Sequence, residues 1–270
     1  MSLLQAEGII KHYRAPGGLF RSRRVQALAS VSLAASQGRT TGLVGESGSG
    51  KSTLGRILLG MESADAGTVT FDGVEIASLS RRGRRDLRRD VQPVFQDPIG
   101  SLDPRWPIGR SVRESLDTFR IGTPADRDRR VLELFDRVGL SPALANRSPV
   151  TLSGGQRQRV SIAAALASEP RLIVADEPVS ALDVSVQAQV LNLFRDLQAD
   201  LGLTIVFISH DLGVIDFVSD DLVVLYRGEV IESGSTQAVL VDPKEDYTRA
   251  LLRAVPGRGS HDEPSATSRM

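Results

Sequence analysis

The stretch GESGSGKST at residues 45–53 constrains the fold of this chain more than any other part of the sequence. It follows the apolar run TTGLV and precedes TLGRILLG, in which Leu54, Ile57 and Leu58 recur at helical spacing. A glycine-rich loop between a strand and a helix is typical of a phosphate-binding loop. We therefore expect an α/β fold that binds a nucleotide; the alternative is a glycine-rich turn without a function.

Each part of this loop has a chemical reason. Glycines let the backbone amides turn inward around a β-phosphate, and the N-terminus of the next helix adds a partial positive charge. Lys51 is expected to reach the β- and γ-phosphate oxygens, and Ser52 to bind Mg²⁺. The predicted nucleotide-binding residues here are Gly45, Glu46, Ser47, Gly48, Ser49, Gly50, Lys51, Ser52 and Thr53.

Further apolar runs predict the other strands and two amphipathic helices. The predicted strands are GTVTF, VQPVF, RLIVADE, LTIVFISH and LVVLYRGEVIE, the last containing a hairpin at Gly228. The nearly all-apolar runs indicate a parallel sheet that is covered on both faces. Helical spacing joins Val131, Leu134, Phe135 and Val138, and also Val186, Val190, Leu193, Phe194, Leu197 and Leu201.

Two carboxylates follow the strand RLIVA, where a nucleotide site needs its second half. Asp176 is predicted to hold Mg²⁺ through water. Glu177, one residue later, is placed to orient and deprotonate an attacking water. The alternative is an ordinary pair of acids exposed to solvent at the end of a strand.

Three more polar residues are candidates for the same site. His210 ends the strand LTIVFIS, and since parallel strands end at one edge of the sheet, it is expected to hydrogen-bond the γ-phosphate. Gln96 follows VQPVF and could contact Mg²⁺ or water, and Tyr13 could stack on an adenine. Taken singly, each fits an ordinary surface or core residue equally well.

Composition limits the partners and the compartment. Lys+Arg and Asp+Glu both number 33, so no net charge draws the chain to nucleic acid or anionic lipid. The arginine run at residues 80–90 contains Asp86 and Asp90 and no aromatic residue, which favours a solvated face over a nucleic-acid site. The chain has no cysteine, which excludes disulfides and thiolate metal sites. With no apolar run near ~20 residues and no secretory signal in MSLLQAEGIIKHYR, we expect a cytoplasmic protein.

Residues 96–107, QDPIGSLDPRWP, contain too much proline and glycine for regular structure, and a mainly helical stretch follows them as far as Leu152. We interpret this region as a helical insertion into the sheet domain. Two polar segments, residues 14–24 and the tail 256–270, are predicted to be mobile.

The phosphate loop, Gln96, LSGGQ, IVADE, SALD and His210 occur in this order, and together they resemble the ATP-binding subunits of ABC transporters. VFQDPIGSLDPR and ADEPVSALDVSVQAQVLNL are similar to the branch that imports peptides and nickel. The resemblance implies a P-loop NTPase fold with a mainly parallel central sheet and an N-terminal antiparallel β part. It also implies one ATP-binding domain over residues 1–255, with a helical insertion at about 98–165.

The resemblance also implies roles for single residues. Tyr13 would stack on adenine, Gln96 would sense the permease, and His210 would act as the γ-phosphate switch. Asp183, in SALD, would make a contact across a dimer. Ala164 departs from the family, which commonly has an arginine there, and this puts a local polar contact in doubt.

The turn TLSGGQRQR at residues 151–159 raises the question of a second phosphate. Ser153 can cap the following helix, which would aim the N-terminus of that helix at an anion. The resemblance implies that Ser153, Gly154, Gly155 and Gln156 close over the ATP of a partner subunit in a head-to-tail pair. A plain capped helix is the alternative.

The implied complex contains ATP, Mg²⁺, a second ATPase subunit, two transmembrane permeases and, indirectly, an external substrate-binding protein. The chain would then lie at the cytoplasmic face of the cell membrane as a peripheral subunit, without nucleic acid and without an iron–sulfur cluster. Two other hypotheses are an ABC-type ATPase acting on DNA or ribosomes and a non-hydrolysing ATP-binding scaffold. The first usually has a coiled coil, a zinc insertion or tandem halves, and the second would be expected to lose Glu177 or His210. The transported cargo, and whether the second ATPase is identical, stay open.

Overall fold

The computed structural model describes residues 1–15, 23–97, 100 and 102–255, which contain ten strands and nine α-helices. The strands are β1 Ser2–Ala15, β2 Arg23–Ser36, β3 Thr40–Val44, β4 Ala66–Phe71, β5 Val74–Glu75, β6 Val91–Val94, β7 Leu172–Asp176, β8 Thr204–Ser209, β9 Asp221–Tyr226 and β10 Glu229–Ser235. The helices are α1 Lys51–Leu58, α2 Arg81–Asp90, α3 Ile108–Phe119, α4 Pro124–Arg137, α5 Gly154–Leu166, α6 Val184–Leu201, α7 Leu212–Val218, α8 Thr236–Val241 and α9 Asp246–Arg253.

The central sheet has the order β10-β9-β3-β8-β7-β6. Its strands pair in parallel from β9 to β6, whereas β10 pairs antiparallel to β9. Gly228 turns the β9–β10 hairpin with a φ of 84°, a conformation that glycine adopts without strain. The predicted mainly parallel sheet is therefore confirmed.

A second, antiparallel sheet has the order β2-β1-β4-β5, so the N-terminal antiparallel part is also confirmed. β1 and β2 form a long hairpin in which Arg14 still pairs with Arg24. The prediction of a mobile segment over residues 14–24 is therefore wrong at both ends, because the hairpin pairing continues there. Residues 16–22 and the predicted tail 256–270 lie outside the described part of the chain.

Side chains that alternate along the parallel strands enter two different hydrophobic cores. One core lies between the two sheets around α1 and includes Leu43, Val174 and Val206. The other lies on the opposite face of the central sheet, below helices α3 to α9, and includes Val44 and Phe207. Both faces of the central sheet are covered, which explains why its strands read as nearly continuous apolar runs.

Helices α3, α4 and α5 contact one another, and buried side chains of all three belong to the second core. That residues 98–165 form an insertion stays a prediction, since residues 98, 99 and 101 lie outside the described residues. The arginine run forms α2, capped by Ser80, with Leu87 as its buried residue. The predicted solvated face is confirmed. Over the ranges that the structure describes, no helix has the length and apolar character needed to cross a membrane.

Candidate functional site

The phosphate loop leaves the buried strand β3 and enters α1 through Gly50. Gly50 has a left-handed φ of 109° and gives α1 no side-chain cap. A Cβ atom at this position would lie 2.6 Å from the carbonyl oxygen of Ala27, so the site accepts only glycine. Since the first amides of a helix have no partner within it, α1 presents its N-terminus to an external anion.

Lys51, the first residue of α1, is almost completely buried. Its Nζ donates to the carbonyl oxygens of Gly45 at 2.7 Å and Glu46 at 2.8 Å. Burial lowers the pKa of this ammonium group, although the carboxylates of Glu177, Asp176 and Glu46 oppose the shift. The loop therefore folds around its own cation, which two carbonyl oxygens hold in place.

Ser49 supplies a second sign that the loop is shaped for a ligand. Its hydroxyl is buried, and it has no hydrogen-bond partner among the described residues. Buried polar groups almost always have a partner, because leaving one unsatisfied is unfavourable. A phosphate oxygen in the loop fits this unsatisfied donor.

The strand-end carboxylate predicted from the sequence meets the phosphate loop. The Ser52 hydroxyl donates to Asp176 Oδ1 at 3.1 Å. Burial raises the pKa of Asp176, and the hydrogen bond from Ser52 opposes only part of that shift. The folded chain therefore holds a partly desolvated carboxylate beside a helix N-terminus.

Glu177 and His210 form a pair at the ends of the neighbouring strands β7 and β8. Glu177 Oε2 and His210 Nδ1 are 3.0 Å apart, with the glutamate side chain 17% exposed and the histidine 54% exposed. Glu177 has a left-handed φ of 48°, and its N–H donates to the Ile208 carbonyl at 2.9 Å. Such a backbone is unfavourable for a residue with a Cβ and is typical of functional sites.

Tyr13 and Gln96 lie at the margins of this group. The Tyr13 hydroxyl donates to Glu62 Oε1 at 2.7 Å and lies 3.3 Å from Thr53 Oγ1, so its ring stands beside α1. Gln96 is exposed and follows β6, which pairs with the strand that ends at Asp176. The adenine contact of Tyr13 and the Mg²⁺ contact of Gln96 stay predictions.

The turn TLSGGQ forms the start of α5. Ser153 Oγ accepts from the Gln156 amide at 3.2 Å, and Gln156 Oε1 accepts from the Ser153 amide at 3.0 Å. This reciprocal capping box confirms the predicted cap. Asp183 likewise caps α6, because its Oδ1 accepts from the Val186 amide at 3.0 Å. A Cβ on Gly155 would lie 2.3 Å from Val186 Cγ1, so the two turns pack closely.

Three features of this region were not predicted from the sequence. The first is the role of Gln156 in the capping box, which the sequence does signal, since Ser-x-x-Gln at the start of a helix is the usual capping-box pattern. Asp183 as a helix cap has a similar signal. The third is the hydrogen bond from the Glu46 amide to the Tyr247 hydroxyl, at 2.9 Å, between residues 201 positions apart. No local pattern announces such a contact.

The side chains present fit Mg²⁺ bound together with phosphate. The described residues contain no group of three or more acidic, histidine or cysteine side chains able to hold a metal on their own. They do offer one hydroxyl and one carboxylate side by side in Ser52 and Asp176. Mg²⁺ is commonly bound by one or two protein oxygens and completed by substrate phosphates and water.

The fold and these contacts define a P-loop ATPase: a glycine-rich loop with a buried lysine, and a carboxylate pair at the end of β7. Residues 28–180 match the model of the ABC transporter family, more than half of the chain. The chain therefore belongs to the ABC transporter family, as an ATP-binding ATPase.

Individual relatives agree with this membership. A Brucella ovis protein named as a peptide import ATP-binding protein is 48% identical over 267 residues, which cover 99% of this chain and 82% of the relative. The glutathione import ATP-binding protein GsiA of Salmonella typhi is 46% identical over 256 residues, 94% of this chain and 41% of GsiA.

Solved structures give the same fold. The dimeric post-hydrolysis state of the ATP-binding cassette MJ0796, bound to ADP and Pi, aligns with a TM-score of 0.76 at 31% identity, over 86% of this chain and 98% of that one. CbiO1 of Clostridium perfringens, part of the transporter complex CbiONQ, aligns with a TM-score of 0.76 at 28% identity, over 89% and 91%. The predicted ABC ATPase fold is confirmed.

Proposed function

We propose that the chain is the ATP-hydrolysing subunit of a membrane importer that takes up peptides. The names of the relatives support peptides over the nickel alternative, since one refers to peptide import and the other to glutathione import. The contact that supports hydrolysis most directly is the 3.0 Å approach of Glu177 to His210, beside the Ser52–Asp176 pair. The chain thus retains the residues that a non-hydrolysing scaffold would lose.

In this proposal the loop residues hold the nucleotide. The amides at the start of α1 and the buried Lys51 bind the β- and γ-phosphates, and the Tyr13 ring stacks on the adenine. Ser52 and Asp176, with Gln96 at the neighbouring strand end, hold Mg²⁺. Bound there, Mg²⁺ would neutralise phosphate charge and polarise the phosphoryl oxygens.

Glu177 acts as the general base in this proposal. Its carboxylate accepts a proton from the attacking water while that water lies in line with the leaving β-phosphate oxygen. His210, hydrogen-bonded to Glu177, orients that carboxylate and contacts the γ-phosphate in this proposal. The left-handed backbone of Glu177 supports this role, because strained backbone is common at functional sites.

ATP is sandwiched between two such subunits arranged head to tail. Ser153, Gly154, Gly155 and Gln156 of one subunit close over the nucleotide held by Lys51 of the other, and Asp183 contacts the partner near this closure. Similarity to a dimeric cassette supports this arrangement. The energy for transport comes from the difference in ATP affinity between the open and closed dimers.

Two permeases would receive this movement near Gln96 and the helical insertion, and an external binding protein would deliver the cargo. The ATPase would accordingly lie as a peripheral subunit on the cytoplasmic face of the membrane.

The decisive experiment on the chemistry replaces Glu177 with glutamine. Glu177→Gln keeps the size of the side chain but cannot accept the proton of water, so turnover should fall by ~10²–10⁴ while ATP binding persists. Steady-state phosphate release and nucleotide titration measure the two quantities separately.

A matched control is Glu169→Gln. Glu169 also has a left-handed φ, of 55°, but it forms a surface ion pair with Arg130. Its change should leave turnover near the wild-type value. If Glu177→Gln hydrolysed ATP as fast as this control, Glu177 would not be the base.

A further inference from the structure

The phosphate loop is held from outside by the last helix of the described chain. Tyr247, the second residue of α9, accepts a hydrogen bond from the Glu46 amide at 2.9 Å. On the other side of the same residue, the Glu46 carbonyl accepts from Lys51 Nζ at 2.8 Å. Lys51 thus holds the carbonyls of both peptide groups that flank the Glu46 Cα, whereas Tyr247 holds the N–H of the first of them from outside the loop.

The position of Tyr247 is itself fixed. Its ring packs on Tyr226, at the end of β9, with a centroid distance of 4.3 Å. The carboxylate of Glu232, on β10, accepts from the amides of Lys244 at 2.7 Å and Glu245 at 3.3 Å, just before α9 begins. The phenol is thus placed by the β9–β10 hairpin and not by the loop that it contacts.

The later residues of α9, and Val255 after it, pack against the central sheet domain. Leu251, Leu252 and Val255 pack against the core on the helical face of the central sheet. Val255 also lies against Gly213, where an added Cβ would come within 3.3 Å of Val255 Cγ1. Gly213 belongs to α7, which begins two residues after His210. Tyr247 and Val255 therefore connect the last described residues both to the entrance of the phosphate loop and to the segment that follows His210.

We propose that Tyr247 is a positioning residue that keeps the entrance of the phosphate loop in its binding shape when Lys51 turns to the phosphates. This inference rests on the proposed role of the loop. A phosphate competes for the same ammonium protons that the Gly45 and Glu46 carbonyls accept, so binding weakens the internal support of the loop. The Tyr247 bond acts on the N–H side of Glu46 and persists through that exchange.

The consequence is a selective effect on nucleotide affinity. Without the Tyr247 hydroxyl, the loop reaches the binding shape less often, and the observed affinity falls by that fraction. Once ATP is bound, the Glu177 and His210 side chains are unchanged, so the rate at saturation stays the same. Since Tyr247 contacts neither phosphate nor water in this inference, it does not act as a catalytic residue.

Tyr247→Phe removes the hydroxyl and leaves the ring on Tyr226. A net hydrogen bond of ordinary strength predicts a rise in the dissociation constant and KM for ATP of about three- to tenfold, with kcat unchanged. The melting temperature of the nucleotide-free protein should fall by no more than a few degrees, because one hydrogen bond is lost and the ring packing is preserved. The Glu46 amide should exchange its hydrogen faster than in the wild type, as measured by NMR.

Tyr226→Phe is the matched control, since it removes the same atom from the neighbouring ring; ATP affinity and Glu46 exchange should both stay at wild-type values. Equal weakening of ATP binding by both variants would show general packing and overturn the inference. A Tyr247→Phe protein with wild-type affinity and wild-type exchange at Glu46 would overturn it as well.

Lys51→Ala separates this inference from the proposed role of the loop. If Lys51→Ala bound ATP normally, the phosphate-loop assignment itself would fail. If Lys51→Ala loses ATP binding and Tyr247→Phe behaves like the wild type, the loop assignment stands and the role of Tyr247 alone is refuted.

Discussion

Two helices of this molecule begin at glycine-rich turns, and their first residues are arranged in opposite ways. α1 begins at Gly50, in a left-handed conformation and without a side-chain cap. α5 begins at Ser153, which forms a closed capping box with Gln156. At the start of α1 the backbone amides have no side-chain acceptor and can donate to a ligand. At the start of α5 the amide of the third residue, Gln156, already donates to Ser153.

The charges around the two helix starts differ as well. α1 begins with Lys51, a buried cation, and faces the carboxylate of Asp176 across Ser52. In the first turns of α5 the cation is Arg157, whose Nη1 donates to the Leu152 carbonyl at 2.6 Å. Lys51 likewise donates to carbonyls of its own loop, so the two helix starts differ in the burial of the cation and in the cap: α1 leaves its first amides open, and Ser153 satisfies one amide of α5. In the proposed function, the first turn binds ATP by itself and the second engages only a phosphate already held by the partner subunit.

The largest expected effect separates the two turns in the isolated subunit. Lys51→Ala should weaken ATP binding by roughly 10- to 150-fold, since it removes a charged donor to the phosphates. Ser153→Arg should leave this affinity within about twofold, because one hydrogen bond of the cap is lost far from that contact. Calorimetric titration with ATP measures both values. Equal loss in the two variants would erase the distinction between the turns.

Ser235→Arg controls for the loss of a helix cap, because Ser235 caps α8 by accepting from the Ala238 amide. It should bind ATP and assemble like the wild type.

The same two lesions, on separate chains, test the head-to-tail arrangement. In a mixed dimer of Lys51→Ala and Ser153→Arg, one interface carries both lesions and the other carries an intact Lys51 and an intact Ser153. ATPase activity absent from either variant alone should then partly return, as phosphate release from the mixture will show. If the native pair is unequal, the partner paralogue is supplied with the complementary lesion. Mixed dimers that stay as inactive as the separate variants would count against one complete interface being sufficient.

A smaller effect distinguishes the glycines of the two turns. Gly155→Ala pushes a methyl group against Val186, so overpacking should lower the free energy of unfolding by about 1–3 kcal/mol. Gly48, in the phosphate loop, has a φ of 82° and nothing within 4 Å of an added Cβ. Gly48→Ala should therefore cost about 1 kcal/mol, from backbone strain alone. Urea unfolding measures both changes.

Val186→Ala should rescue most of the loss in Gly155→Ala, since it removes the methyl groups that clash, but should not rescue Gly48→Ala. A cost of Gly155→Ala that Val186→Ala leaves unchanged would mean that the turn is fixed by something other than this contact.

How much of this could be read from the sequence depends on the range of each contact. The phosphate loop, the Asp176–Glu177 pair and the Ser153 cap follow from local patterns, since turn chemistry and strand ends are written in a few consecutive residues. The sequence predicts a mobile segment over residues 14–24, because it is polar and contains proline and glycine, but Arg14 pairs with Arg24 in the β1–β2 hairpin. The Tyr247 contact with Glu46 could not be predicted, because it depends on how α9 packs after the whole sheet has formed.

The predicted contacts of Tyr13 and Gln96 depend on a nucleotide or a partner, so no local pattern in the sequence determines them. Within the chain, Gln96 is exposed and the Tyr13 hydroxyl donates to Glu62.

The smallest expected effect concerns the buried carboxylate beside the phosphate loop, a group that the turn at Ser153 lacks. Burial raises the pKa of Asp176, so its ionised form at neutral pH opposes folding until a cation is bound. Asp176→Asn should therefore raise the melting temperature of the nucleotide-free protein by a few degrees at neutral pH while abolishing hydrolysis. The gain should shrink as the pH falls toward the raised pKa, because the wild-type carboxyl then takes up a proton and becomes neutral as well.

Asp72→Asn is the control of opposite sign. The hydrogen bond from Arg171 lowers the pKa of Asp72, so the ionised form of Asp72 favours folding, and that contribution fades as the pH falls through the lowered pKa. Scanning calorimetry at several pH values compares the two variants. A lower melting temperature for Asp176→Asn at neutral pH would mean that Asp176 stabilises the nucleotide-free loop. The polar groups of the phosphate-loop region would then be satisfied within the chain, as they are in the turn at Ser153.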